Sequence, residues 1–176
     1  MHIVVLSGSP RKNGNTAIMV EAFKEGAESA GNTVEVLGVG SMKIAGCKAC
    51  RYCFEHDGAC VNDDDMTDVY NALKKADMMV LASPVYWFDV TSQLKCAIDR
   101  LYAFGGPGFS FSKVALLLNS QSPNVYTAAT AAYKDMNAYL KWEDQGIITI
   151  CGMEEKGSMA DSSELPKVRE FGASLK

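Results

Sequence analysis

The sequence predicts a doubly wound α/β domain, a parallel sheet with helices on both faces, and three observations carry that expectation. Five short apolar runs alternate with five stretches of helical periodicity along the 176 residues. The first run, residues 3–6 (Ile-Val-Val-Leu), is continuously apolar and rich in β-branched side chains, as in a strand buried on both faces. No repeat and no low-complexity linker breaks the alternation. The expectation is therefore one domain over residues 1–176, able to remove roughly 70 % of its unfolded surface from water.

The elements follow in order. After the strand at 3–6, Met19, Phe23, Ala27 and Ala30 share a helical face, and Gly31 is placed to end that helix. Residues 33–39 alternate as a second strand. A long irregular connection occupies 40–65. Asp63, Asp64 and Asp65 then open a helix whose inward face carries Met66, Val69, Tyr70, Leu73 and Ala76; the acidic run reads as capping and dipole complementarity. The third strand is 78–82, followed by a helix with Val90, Leu94, Ala97, Ile98 and Leu101 inward. Glycines at 105–108 separate it from the fourth strand, 114–118. Ala129, Ala132, Tyr133, Met136 and Leu140 mark the next helix, 147–151 the fifth strand, and Leu165, Val168, Phe171 and Leu175 the last helix. Cys96 and Cys151, on a helix face and a strand, are expected in the core.

Between the first strand and helix the chain reads Ser7-Gly-Ser-Pro-Arg-Lys-Asn-Gly-Asn-Thr16, with no aliphatic side chain. A helix start leaves backbone N–H groups unpaired and carries partial positive charge, so it suits a phosphate dianion. Ser9, Asn13, Asn15 and Thr16 can add hydrogen bonds, and Arg11 a cationic fork. The dipole supplies only about 0.3–2 kcal/mol, so the directed hydrogen bonds must supply the rest. One capping residue would serve an ordinary turn; this density points to an anion site. A Walker A loop is excluded, because five residues rather than four separate Gly8 and Gly14 and Asn15 stands where lysine is required. The dinucleotide fingerprint fails at Pro10. A phosphomonoester fits best.

Beyond the third strand, Ser83-Pro-Val-Tyr-Trp-Phe-Asp89 places three aromatics in succession. Tyr86, Trp87 and Phe88 cannot all face one interior, and aromatics in a rigid loop at a sheet edge make a wall for a flat ring. The loop at 119–124 is polar; a plain turn accounts for it equally well.

Cys47, Cys50, Cys53 and Cys60 lie in the 40–65 connection with spacing C-x2-C-x2-C-x6-C. An unstructured connection of that length is uncommon unless it has a function. Three readings stay open: four thiolates holding a 4Fe–4S cluster, a zinc site, or thiols that only pack. Six cysteines with no export segment ahead of the first strand argue against a disulfide scaffold and for a cytoplasmic protein. A net charge of −4 without a basic stripe gives no reason to expect nucleic acid, and no apolar run reaches membrane-span length. No hydrolytic triad can be drawn from two histidines, no cysteine has an arginine six positions on, and Ser7 and Ser83 stand where a response regulator needs acids. No catalytic side chain is named.

With these residues in view, Gly8-Ser-Pro-Arg-Lys-Asn-Gly-Asn-Thr16 resembles the phosphate loop of the flavodoxin-like NAD(P)H-dependent FMN reductases, and the cysteine spacing resembles their iron–sulfur flavoprotein branch. The resemblance implies strand order 2-1-3-4-5 and FMN at the C-terminal edge of the sheet. It implies that Ser9, Arg11, Asn13, Asn15 and Thr16 hold the phosphate, and that Pro84, Val85, Tyr86, Trp87 and Phe88 line the ring. Ser120 and Gln121 would meet its edge, though the loop is less glycine-rich than in many relatives. It further implies oxidation of NADH or NADPH, a small-molecule or redox-protein acceptor, and a homodimer or homotetramer. Cluster ligation would fall to the four cysteines, although Val61 stands where the bacterial ferredoxin form has proline and other relatives keep loop cysteines without a cluster. The rival is a non-enzymatic electron carrier of the flavodoxin type, which its members' more acidic charge and Thr-rich loop oppose here.

Overall fold

The structure is a computed structural model describing residues Met1–Lys176. Its strands are β1 (His2–Ser7), β2 (Thr33–Leu37), β3 (Met78–Pro84), β4 (Lys113–Asn119) and β5 (Glu143–Ile150). All neighbours pair in parallel, in the order β2-β1-β3-β4-β5 that the resemblance implies. The main helices are α1 (Asn15–Ser29), a single turn α2 (Tyr52–Glu55), α3 (Met66–Leu73), α4 (Ser92–Arg100), α5 (Thr127–Leu140) and α6 (Leu165–Ser174). No helix is long and apolar enough to cross a membrane.

Alternation along the central strands sorts the core into two layers. Ile3, Val5, Met78, Val80, Ala82, Ala115 and Leu117 face one way and pack with Met19, Phe23 and Val168 of α1 and α6. Val4, Leu6, Met79, Leu81, Val114, Leu116 and Leu118 face the other way, against Val69, Leu73, Leu94 and Tyr133 of α3, α4 and α5. Both faces of β1, β3 and β4 are therefore dry, which is why their sequences are unbroken apolar runs. The edge strand β2 leaves Thr33, Glu35 and Val36 exposed, so its apolar pattern is diluted. It is also shorter than the sequence suggests, ending at Leu37.

Two sequence expectations fail in the core. Cys151 is exposed, because β5 stops at Ile150 and the cysteine begins the following loop. Cys96 is only partly buried, on the flank of α4 rather than its inward face.

Candidate functional site

Sheet register brings the connection after β1 beside that after β3. Gly8 N–H donates to the Ala82 carbonyl at 2.8 Å, and the Thr91 hydroxyl donates to the Gly8 carbonyl at 2.7 Å while capping α4 through Leu94 N–H. Gly8 must be glycine, since a Cβ there would stand 2.6 Å from Leu94 Cβ. Gly40 is held the same way: its Cβ would lie 2.3 Å from the Ser9 carbonyl oxygen. Backbone packed this closely fixes much of the loop before its side chains add their own bonds, such as Arg11 N–H to the Ser9 hydroxyl at 3.3 Å.

The loop ends at α1, whose N-cap is Gly14 and which has no side-chain cap. The N–H groups of Asn15, Thr16 and Ala17 have no acceptor in the protein. Three converging donors and the helix dipole make a seat for an anion. Thr16, 1 % exposed, accepts from Asn119 Nδ2 at 2.8 Å and keeps its own proton to donate. The seat opens into a cleft of about 200 Å³ whose walls include Ser9, Arg11, Thr16 and Tyr86. A phosphate dianion fits this donor set, with Arg11 as the cation beside it.

Of the residues singled out from the sequence, Ser9, Arg11, Asn15, Thr16, Pro84, Val85, Tyr86, Ser120 and Gln121 meet at that cleft. Asn15 has a further task. Its amide donates to the carbonyls of Met153 and Glu155 and accepts from Gly157 and Met159 N–H, stitching α1 to the loop after β5. Its side chain is thereby occupied, and what it offers a phosphate is its backbone N–H. Asn13 stands outside the cleft with a left-handed backbone, φ 52°. The Ser120 hydroxyl bridges the Ser122 carbonyl at 2.7 Å and the Tyr126 hydroxyl at 2.6 Å. Burial, only partly offset by that serine, pushes the Tyr126 phenol above its ordinary pKa, so it stays protonated.

The aromatic triplet divides. Tyr86 lines the cleft, whereas Trp87 and Phe88 form the tip of a two-residue turn and are 93 % and 56 % exposed. Tyr86 and Asp89 pair with each other, Tyr86 N–H donating to Asp89 O at 2.9 Å and Asp89 N–H to Tyr86 O at 3.2 Å. Trp87 and Phe88 accordingly take φ of 48° and 70°. That geometry favours Asn-Gly; bulky aromatics there are strained by about 1–2 kcal/mol each. Strain of this kind concentrates at functional turns.

Sequence reasoning missed the fourth wall. Met153, Glu154 and Lys156 reach the cleft from the loop after β5. The signal was available: Gly152 and Gly157 bracket a charged run directly after a strand, at the same sheet edge as the other loops.

The cysteine loop is rooted firmly, but its thiols are not gathered into a metal-holding group. Arg100, 2 % exposed, donates to both Asp64 carboxylate oxygens at 2.8 and 3.1 Å and to the Ala45 carbonyl at 3.0 Å. Asp64 also accepts Ala45 N–H, Asp65 accepts Lys43 N–H, and Asn62 Nδ2 donates to the Gly46 carbonyl at 3.4 Å. Burial opposes ionisation of Asp64, but hydrogen bonds from Arg100, then Ala45 and Met66, outweigh it and hold the carboxyl below its ordinary value. The acidic run is thus more than a helix cap, because one of its carboxylates is a buried counter-ion. Arg100 falls three residues after Ala97 on the apolar stripe of α4, which was the clue.

Between these roots, Cys47 and Cys50 are exposed, and Cys53 and Cys60 half-buried. Burial raises the Cys53 pKa, and the charges of Cys60, Cys47 and Cys50 raise it further. The thiols thus feel one another, yet no three His, Cys, Asp or Glu side chains in the chain form a group able to hold a metal ion. As arranged, the thiols do not fit a metal cluster.

A family model described as NADPH-dependent FMN reductase matches residues 1–152. An iron–sulfur flavoprotein of Archaeoglobus fulgidus is 40 % identical over 105 residues, 60 % of this chain and 47 % of that protein. One from Methanosarcina thermophila is 38 % identical over 100 residues, 57 % of this chain and 52 % of that protein. The chain spans about half the length of these curated relatives. Among solved structures, an NAD(P)H:quinone oxidoreductase from Methanothermobacter marburgensis superposes with a TM-score of 0.74 at 20 % identity, covering 100 % of this chain and 99 % of that one. At that identity the likeness speaks for the fold.

Proposed function

The chain belongs to the NADPH-dependent FMN reductase family, and from that premise we propose that it is an FMN-dependent oxidoreductase drawing electrons from a nicotinamide nucleotide. The observation carrying this reading is the uncapped start of α1: three free N–H donors beside Arg11 and Thr16, with Tyr86 on the cleft's other wall. Bound FMN would supply the redox chemistry, accepting hydride and passing electrons on.

The chain's own residues then have defined tasks. The N–H groups of Asn15, Thr16 and Ala17, with Ser9 and Arg11, hold the phosphate, and the Asn13 backbone turn shapes their approach. Pro84, Val85 and Tyr86 set the plane of the ring, with the Trp87–Phe88 turn as its outer screen against water. Ser120 and Gln121, backed by Tyr126 and the loop at Met153, lie at the ring's edge. No acid–base side chain is required, and none is assigned.

The whole of residues 1–176 is read as one FMN-binding unit that works in the cytoplasm. Its acceptor is a small molecule or a redox protein, neither nucleic acid nor membrane. The exposed Trp87 supports assembly as a homodimer or homotetramer, which sedimentation of the FMN-loaded protein would check. The relatives' names favour a 4Fe–4S cluster on Cys47, Cys50, Cys53 and Cys60, but the thiols are not gathered to hold one, so no electron step is routed through them. Iron and sulfide analysis of anaerobically purified protein decides that point.

The deciding experiment adds NADPH or NADH anaerobically to FMN-loaded protein and follows the flavin absorbance. Bleaching by either nucleotide supports the reductase. Failure to take up FMN sinks the reading altogether; bound FMN that neither nucleotide bleaches would leave only an electron carrier.

A further inference from the structure

Close packing at Gly8 and Gly40 holds the phosphate loop where it leaves β1, but its far half is bound loosely. Arg11, Lys12 and Asn13 are exposed. The backbone N–H groups of Lys12 and Asn13 have no acceptor, and Gly14 N–H reaches the Arg11 carbonyl over a long 3.3 Å. Of the loop's polar side chains, Ser9 accepts Arg11 N–H, Asn15 is spent on the loop after β5 and Thr16 on Asn119; the Asn13 carboxamide bonds to nothing.

Asn13-Gly14 is the only step in the chain where glycine follows asparagine. Glycine has no side chain to shield its amide nitrogen, and its backbone is free to bring that nitrogen onto the preceding carboxamide. Two other asparagines show what sets this one apart. Asn124 is exposed and left-handed too, φ 61° against 52°, but β-branched Val125 crowds the nitrogen that follows it. Asn119 precedes the small Ser120, yet is 3 % exposed and donates to Thr16. Only Asn13 combines an open carboxamide with an unshielded neighbour.

We propose that Asn13 converts spontaneously to aspartate and isoaspartate, that this change disables the phosphate seat, and that bound FMN slows it. The Gly14 nitrogen attacks Asn13 Cγ. The new C–N bond closes a cyclic imide as Cγ–Nδ2 breaks, and Nδ2 leaves as ammonia with the proton that Gly14 gives up. Water then opens the imide at either carbonyl, so the net change is carboxamide plus water to carboxylate plus ammonium. Residue 13 now carries negative charge one step before Gly14, the N-cap of α1, where it repels the phosphate dianion and takes up the field meant for it. Isoaspartate also lengthens the main chain by a methylene beside Gly14, where even a Cβ would stand 3.1 Å from Arg11 Cβ. Attack requires the Asn13–Gly14 peptide to swing away from Arg11, and a phosphate in the seat opposes that swing. The protection and the loss of the seat rest on the FMN reading; the chemistry at Asn13 does not.

In the test, the full-length protein is held in mildly alkaline buffer, with and without saturating FMN. It is then mapped by peptide mass spectrometry and by enzymatic methylation of isoaspartate. Acid at residue 13 should accumulate well ahead of residue 124, with isoaspartate the larger share, and more slowly when FMN is present. Asn13→Asp should bind FMN about tenfold more weakly than the parent, with riboflavin binding unchanged. It should melt no lower than the parent without ligand, since a carboxylate suits a helix start. Asn13→Gly, which keeps the left-handed turn and has no carboxamide, should hold its own starting FMN affinity through the same incubation. An intact residue 13, or Asn124 converting as fast, overturns the proposal. So does an Asn13→Asp protein that binds FMN as tightly as its parent, or conversion as fast with FMN bound as without. Loss of affinity in Asn13→Gly over the same incubation overturns it too, by placing the damage elsewhere. The reductase reading fails separately: a protein that converts at residue 13 but never takes up FMN keeps the modification site and loses the enzyme.

Discussion

The connections after β1 and β2 leave the same edge of the same sheet, side by side, and are built on opposite plans. The first is held by backbone: Gly8 against α4, Gly40 against Ser9, and the loop's donors converging on one point with few side chains involved. The second is held by side chains at its roots, through Arg100, Asp64, Asp65 and Asn62, and has a loosely bonded interior. There, Ala49, Arg51 and Asp57 take left-handed backbone, and Tyr52 stacks on His56 at 3.6 Å within the loop itself. The contrast teaches which function each loop can perform unaided. A seat made of packed backbone is complete before its ligand arrives, whereas four thiols on a rooted but open loop must be drawn together by whatever they bind.

The comparison breaks most visibly at the roots. Arg100→Ala should cost about 3–5 kcal/mol in urea denaturation, because it leaves the Asp64 carboxylate partly buried and unpaired. The same pair has a pH signature. The folded Asp64 carboxyl lies below its ordinary 3.8, so its contribution is whole above about pH 4 and is lost as the pH falls through the folded value. The acid limb of the stability profile should therefore flatten in Asp64→Asn; an unaltered limb would show that the pair contributes nothing.

Next in size is the phosphate seat. Arg11→Ala should weaken FMN binding by about 1.5–3 kcal/mol while leaving riboflavin affinity alone, as the contact is with phosphate. Equal losses for both ligands would move Arg11 out of the seat.

The aromatic turn should respond in two directions at once. Replacing Trp87-Phe88 by Asn-Gly relieves left-handed strain and should raise stability by about 1–2 kcal/mol in thermal unfolding. It should also loosen FMN relative to its phosphate-bearing fragments, since the ring loses its outer screen. A turn that gains stability and keeps full FMN affinity would be merely a strained surface hairpin.

The smallest effect belongs to the open thiols. Cys47→Ser and Cys50→Ser, both exposed, should shift the stability of metal-free protein by no more than about 0.5 kcal/mol. A larger loss would mean that the loop interior is more ordered than its hydrogen bonds indicate.

Much of this was legible in the residues. Strands buried on both faces read as unbroken apolar runs, helices covering them repeat every three to four residues, and a loop of hydroxyls, amides and glycines before a helix has the composition of an anion seat. Those signals are local, because burial and helix starts act on neighbours in the chain. Other decisions depended on residues far apart. Asn15 looks like a phosphate ligand from its place in the loop, yet its amide is taken up by Met153, Glu155, Gly157 and Met159, more than a hundred residues on. Asp64 looks like a cap until Arg100 arrives from α4, and Lys156 reaches the cleft only because β5 lies where it does. Sequence alone set the architecture and the chemistry of the loops, since both follow from patterns within a few residues. Tertiary structure decided which polar groups remain free to act, because a hydrogen bond spent on a distant partner is invisible until the chain has folded.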